Sequence, residues 1–290
     1  MHYVMLYCNE WRGYDQNTLY TIFASALSCR AGCARCLMGR NLLGNFTTMI
    51  FVNNVEVGYD RRAVAMPISG QFLAGSLTAV IGANGAGKST FLKTLAGLQQ
   101  AVTGNITFSA NLRPRLAYLP QQAELDRGFP ISVFDLVAMG CWPQSGLFGG
   151  INQQSADAVA KALETVGMTE MSHLPVGSLS GGQLQRTLFA RLLVQQAPLI
   201  MLDEPFTGID TQTTDLLLKV IAQWHQEGKT VIAVLHDISM VARHFPHVLY
   251  LSAQQNLWGT AHDVLGHFPH QAHACISTEP FSLVAGVANS

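Results

Sequence analysis

The stretch SLTAVIGANGAGKSTFLKTLAGL, Ser76 to Leu98, decides the fold. Leu77 to Ile81 is a short apolar run rich in β-formers, as expected of a buried strand. Gly82 to Ser89 matches G-x-x-x-x-G-K-[ST], and Phe91, Leu92, Leu95 and Ala96 then recur at helical spacing, with Gly97 placed to stop the helix. Strand, glycine loop and helix in that order form the context in which this motif cradles phosphates. Glycines let backbone N–H groups turn inward around a phosphate, and the helix N-terminus adds its positive end. In this reading Lys88 reaches the β- and γ-phosphates and the Ser89 hydroxyl ligates Mg²⁺.

Two further strands supply partners. APLIMLDEP, Ala197 to Pro205, is an apolar run that ends in two acids. In a parallel sheet Asp203 emerges at the carboxyl edge, where ligands bind. Asp203 suits a Mg²⁺ contact, and Glu204 is free to orient and deprotonate a water. KTVIAVLHD, Lys229 to Asp237, places His236 after a third apolar strand, where a γ-phosphate oxygen could accept its N–H.

A second helix start has the chemistry of an anion site. In SLSGGQLQR, Ser178 to Arg186, Ser180 is an N-cap residue, and Leu184, Leu188 and Leu192 line one face of the helix behind it. The loop at Gly82–Thr90, LSGGQ at Leu179–Gln183, LIMLDEP and His236, in this order, resemble the ATP-binding-cassette (ABC) ATPases. The resemblance runs from Met49 to about Gly266. It implies an α/β P-loop NTPase of the ABC type, with a parallel-sheet core, an antiparallel β subdomain and a helical signature subdomain at about 122–178.

The resemblance also implies how the site is completed. Two copies pack head to tail, and each ATP lies between the Gly82–Ser89 loop of one and Ser180, Gly181, Gly182 and Gln183 of the other. Gly82, Asn84, Gly85, Gly87, Lys88, Ser89 and Thr90 form the nucleotide-binding set, with Glu204, His236 and Gln121 catalytic. Ser89, Gln121 and Asp203 hold Mg²⁺. Tyr59 in VEVGYD matches the aromatic that stacks on adenine; a buried tyrosine at a strand end is the plain alternative. Gln121 adjoins Gln122, so the register is open by one position. Asp210 in FTGID matches a loop that touches the opposite subunit, and it also reads as the N-cap of a helix through Leu216, Leu217, Val220 and Trp224.

Within the signature subdomain, Ser132 and Asp135 have capping-box spacing. Ala156, Val159, Ala160, Leu163 and Val166 form a helical stripe that stops at Gly167. In the family this lobe receives a helix from a membrane permease.

Composition sets the outer limits. Only 12% of the 290 residues are charged, against about 25% in typical domains. The formal charge of −1 gives no basic field for nucleic acid. No apolar run approaches the roughly 20 residues that span a bilayer, and Glu10, Arg12 and Asp15 interrupt any signal peptide. The expectation is a cytoplasmic ATPase peripheral on the inner face of the membrane. Its partners would be a second copy, permease subunits and a periplasmic or lipoprotein metal-binding protein.

Subfamily likeness, including Phe206 after Asp-Glu-Pro, is to zinc and manganese importer ATPases, with iron-chelate importers as the alternative. A soluble ABC ATPase acting on nucleic acid or ribosomes would call for coiled coils or two cassettes. A phosphoryl-transfer kinase would leave LSGGQ unexplained. Residues 1–48, with Cys8, Cys29, Cys33 and Cys36, read as a poorly ordered extension ahead of Met49, or as a cluster or zinc site. The tail 267–290 follows; His262, His267, His270, His273 and Cys275 raise a metal-sensing reading that Pro269 opposes, since it interrupts a common helix.

Overall fold

A computed structural model describes residues 50–59, 62–109, 113–121, 130–142 and 151–267. The expectations for residues 1–48, Gln122, His270, His273 and Cys275 lie outside them.

In chain order the strands are β1 (Ile50–Glu56), β2 (Gly58–Tyr59), β3 (Arg62–Ala63), β4 (Ile68–Phe72), β5 (Leu77–Gly82), β6 (Thr103–Phe108), β7 (Leu116–Leu119), β8 (Leu199–Asp203), β9 (Thr230–Val234), β10 (His247–Leu251) and β11 (Asn256–Thr260). The helices are α1 (Lys88–Ala96), α2 (Val133–Ala138), α3 (Gln153–Thr165), α4 (Gly181–Gln195), α5 (Thr211–Gln226), α6 (Ile238–His244) and α7 (Ala261–Gly266).

The main sheet has six strands in the order β11-β10-β5-β9-β8-β7. β10, β5, β9, β8 and β7 pair in parallel, and β11 closes one edge antiparallel to β10. Both faces of the central strands β5, β9 and β8 are covered, which is why they read as near-continuous buried runs rather than alternating. Leu199 and Met201 face one core with Ile232, Val234, Phe91 and Leu95; Ile200 and Leu202 face the other with Ala233, Leu217 and Phe189.

The antiparallel β4-β1-β6 sheet shares the first core with α1. Here Phe72 meets Trp258 of β11 edge-on at 4.8 Å between ring centroids. On the other side α2 and α3 pack against α4, forming the helical lobe.

The capping signals act as expected. The Ser132 side chain accepts from Asp135 N at the start of α2, Asp210 accepts from Thr213 N before α5, and Gly97 ends α1 at φ 73°. One stripe is corrected. Ala160 of α3 is exposed, and the buried line runs through Val159, Ala162, Leu163 and Val166. The helix has turned so that Ala162, rather than Ala160, joins Val159 against α4. In α5, Leu217, Val220 and Trp224 are buried and Leu216 is half-buried.

Candidate nucleotide site

Sheet order assembles the site. β5, β9, β8 and β7 are consecutive neighbours, and at their carboxyl ends lie Gly82, His236, Asp203–Glu204 and Gln121. Four segments far apart in sequence thus meet along one edge, the usual ligand edge of a parallel sheet.

Gly82 leaves β5 at φ 150°, and a Cβ there would lie 2.2 Å from the Leu251 carbonyl oxygen of the adjacent strand. Only glycine lets the loop depart that close to β10. Ala83, Asn84 and Gly85 are exposed, so the loop opens to solvent. The chain then enters α1 with Lys88 buried. Its Nζ donates to the carbonyls of Gly82 and Ala83, at 2.9 Å each. Burial pushes the Lys88 ammonium pKa down, while the charges of Glu204 and Asp203 pull it up.

Ser89 Oγ donates to Asp203 Oδ1 at 2.9 Å. Asp203 is buried, and its Oδ2 accepts no hydrogen bond of ordinary geometry. Burial drives the Asp203 pKa up, and the Ser89 hydrogen bond opposes it. A buried carboxylate oxygen left over beside a serine hydroxyl is a hard-oxygen pair suited to Mg²⁺. The residues therefore fit that ion.

Glu204 has φ 50°, a left-handed backbone that a glutamate adopts at a cost of about 1 kcal/mol or more. Its backbone N–H donates to Val234 O of β9 at 3.2 Å. Three side chains hold its carboxylate. Gln121 Nε2 donates to Oε2 at 2.8 Å, Thr207 Oγ1 donates to Oε2 at 3.3 Å, and His236 Nε2 stands 2.7 Å from Oε1. The Glu204 side chain is 11% exposed and that of His236 41%, so the histidine faces the open side. Gln121 thus reaches this cluster, while Gln122 lies outside the described residues.

Tyr59 lies on the β2–β3 hairpin beside the loop. At 54% exposure it is not a core tyrosine, and the alternative reading is corrected. Its hydroxyl accepts from Thr90 Oγ1 at 3.3 Å.

The signature turn does not join this cluster within one chain. Ser180 is exposed and caps α4 with a full capping box: Gln183 N donates to Ser180 Oγ at 3.3 Å, and Ser180 N donates to Gln183 Oε1 at 2.9 Å. Gly181 and Gly182 pack instead towards Gly208, Asp210 and Thr213. Backbone and hydroxyl hydrogen bonds from Thr213 hold the Asp210 pKa below the usual range. Among the described residues, no hydrogen bond joins Ser180–Gln183 to Gly82–Thr90.

Thr207 and Gln185 were not picked out by sequence reading. Their only signal is adjacency, Thr207 three residues after Glu204 and Gln185 two after LSGGQ. His262 is 86% exposed, and no group of three His, Cys, Asp or Glu side chains that could hold a metal ion occurs among the described residues. No described helix is long and apolar enough to cross a membrane.

Comparison with known proteins agrees with this geometry. The ABC transporter family profile matches residues 65–207. A probable metal transport system ATP-binding protein of Chlamydia pneumoniae is 38% identical over 229 residues, covering 77% of this chain and 88% of that protein. A manganese transport system ATP-binding protein of Listeria innocua is 38% identical over 205 residues, covering 69% and 85%. Among solved structures, one described as an inward-facing transporter of metal-chelate type superposes with TM-score 0.68 at 26% identity, covering 78% of this chain and 89% of that one. With its phosphate loop, acidic strand end and signature helix in these positions, the chain belongs to the ATP-binding ATPase subunits of ABC transporters.

Proposed function

We propose that this chain powers a manganese importer, as one of two identical copies that clamp ATP between them beneath a membrane permease. The observation that carries the clamp is that two anion-binding helix starts do not meet within one chain. Ser180 presents an exposed, capped N-terminus beside Gly208–Asp210, and among the described residues no hydrogen bond ties it to the loop at Gly82–Thr90. A second copy, turned head to tail, would bring its own Ser180, Gly181, Gly182 and Gln183 to the nucleotide held by this loop. The names of the curated relatives support manganese or a similar transition metal as cargo, delivered by a periplasmic or lipoprotein metal-binding protein. Zinc and chelated iron are the competing cargoes.

Each side chain then has a task. Tyr59 offers an exposed ring for adenine, and Thr90 donates to its hydroxyl. Lys88 exchanges the Gly82 and Ala83 carbonyls for phosphate oxygens. Ser89, Asp203 and Gln121 hold Mg²⁺, which offsets phosphate charge when bound. Glu204 accepts the proton of the attacking water, and His236 donates its N–H to the γ-phosphate. Asp210 keeps the α5 cap and the loop facing the second copy in place. Closure on ATP and release after hydrolysis move the permease.

The test is Glu204→Gln in the full chain. Phosphate release should fall by about 10²- to 10⁴-fold while ATP binding persists, and an ATP-dependent dimer should accumulate on sizing. Monomer alone with saturating ATP would defeat the clamp. Cells lacking the subunit should lose manganese uptake; retained uptake, with zinc or a ferric chelate excluded instead, would change the cargo.

A further inference from the structure

α4 carries more than the signature turn. Gln185, in its second turn, donates from Nε2 to the carbonyl of Pro205 at 2.7 Å, in a partly buried setting. Pro205 is buried and directly follows Glu204. Having no N–H, it has only its carbonyl with which to anchor its backbone. That anchor matters because Glu204 is held at φ 50°, a conformation that surrounding restraints must impose. The turn is closed on its other side by Thr207, whose backbone N–H donates to Glu204 O at 3.3 Å and whose hydroxyl reaches Oε2. Among the described residues, the Gln185 bond is the one side-chain hydrogen bond from α4 to the segment 204–207. At the start of the helix, Gly182 packs closely on Asp210 and Thr213: a Cβ would lie 3.3 Å from Asp210 Oδ2 and from Thr213 Oγ1. The start of α4 thus packs on the start of α5, and Gln185 ties the same helix to the Glu204 turn.

We infer that Gln185 is a positioning residue for hydrolysis, and that through Pro205 it passes the position of the signature turn to Glu204. This rests on the proposed clamp, in which Ser180 touches the nucleotide of the second copy and Glu204 serves the nucleotide of its own chain. The base in one site is then set by occupancy of the other, and the two sites fire together.

The experiment measures ATP hydrolysis by the full chain against ATP concentration. Gln185→Met keeps side-chain length and removes the amide donor. Its kcat should fall by about tenfold to a hundredfold, with KM and ATP affinity unchanged and the Hill coefficient falling towards one. Gln185→Lys, which restores a donor of sufficient reach, should recover both. If Gln185→Met does not fold, Gln185→Glu keeps the shape without the donor and is read the same way. Unchanged kcat and cooperativity overturn the inference, as does weakened ATP binding without any change in cooperativity. Glu204→Gln is the control: if it abolishes turnover and accumulates an ATP-dependent dimer while Gln185→Met turns over normally, the clamp and the base stand and only the Gln185 role falls. If Glu204→Gln turns over normally, the base assignment itself has failed.

Discussion

His236 Nε2 lies 2.7 Å from Oε1 of Glu204, on the strand ends of β9 and β8. The group proposed to bind the γ-phosphate is therefore paired with the group proposed to take the water proton. Gln121 is spent on the same carboxylate, Lys88 on its own loop, and Ser89 on Asp203. Asp203 Oδ2 excepted, these side chains are partnered within the site itself. In the proposed function, nucleotide binding exchanges these partners.

His236→Ala removes both the pairing and the proposed phosphate contact. Turnover should fall by about a hundredfold or more, while ATP affinity changes little, because the loop and Lys88 are intact. Parallel ATP-binding and phosphate-release measurements check this. Normal turnover would remove His236 from the reaction.

Asp203 predicts a pH dependence. Burial raises its pKa above the usual carboxylate value of about 3.9, against the Ser89 hydrogen bond. The folded state then binds this proton more tightly than the unfolded chain. The stabilising contribution is present at low pH and is lost as pH rises through the raised pKa. Relative to Asp203→Asn, the protein should gain thermal stability as pH is lowered from neutrality towards the usual carboxylate range. Paired melting curves that diverge in the opposite direction would contradict the assignment.

Gly97→Ala should destabilise the protein by about 1–3 kcal/mol, chiefly through its left-handed backbone. Gly97 sits at φ 73°, and a Cβ would fall 1.7 Å from Nη1 of Arg113. That guanidinium closes the carbonyl end of α1, donating to Leu95 O at 2.5 Å and lying 5.5 Å from the centroid of the Phe108 ring. In the double variant with Arg113→Ala the clash disappears, and the left-handed backbone cost of about 1 kcal/mol remains. Urea unfolding of the single and double variants separates the two terms.

The site was legible where its signals are contiguous. The run Ser76–Leu98 announces strand, loop and helix because glycine placement and apolar spacing act over a few residues. Ser132, Ser180 and Asp210 were readable as caps for the same reason, since a cap bonds a backbone group three residues on. The α3 stripe was less legible: Ala160 and Ala162 are chemically alike, and only the helix rotation set by α4 chooses between them.

By itself, then, the sequence determined the three strands and the helices that carry the site, the caps at Ser132, Ser180 and Asp210, and the chemical types gathered for phosphate and metal. Tertiary structure alone decided the strand order that places β8 two positions from β5, and so brings Ser89 to Asp203 across 114 residues. It also decided that Gln185 holds Pro205, Thr207 holds Glu204 and Arg113 shields Gly97. Such pairings join segments whose local preferences are indifferent to one another. They are fixed by which faces of the sheet the helices cover, a property of the packed whole that no short window of residues contains.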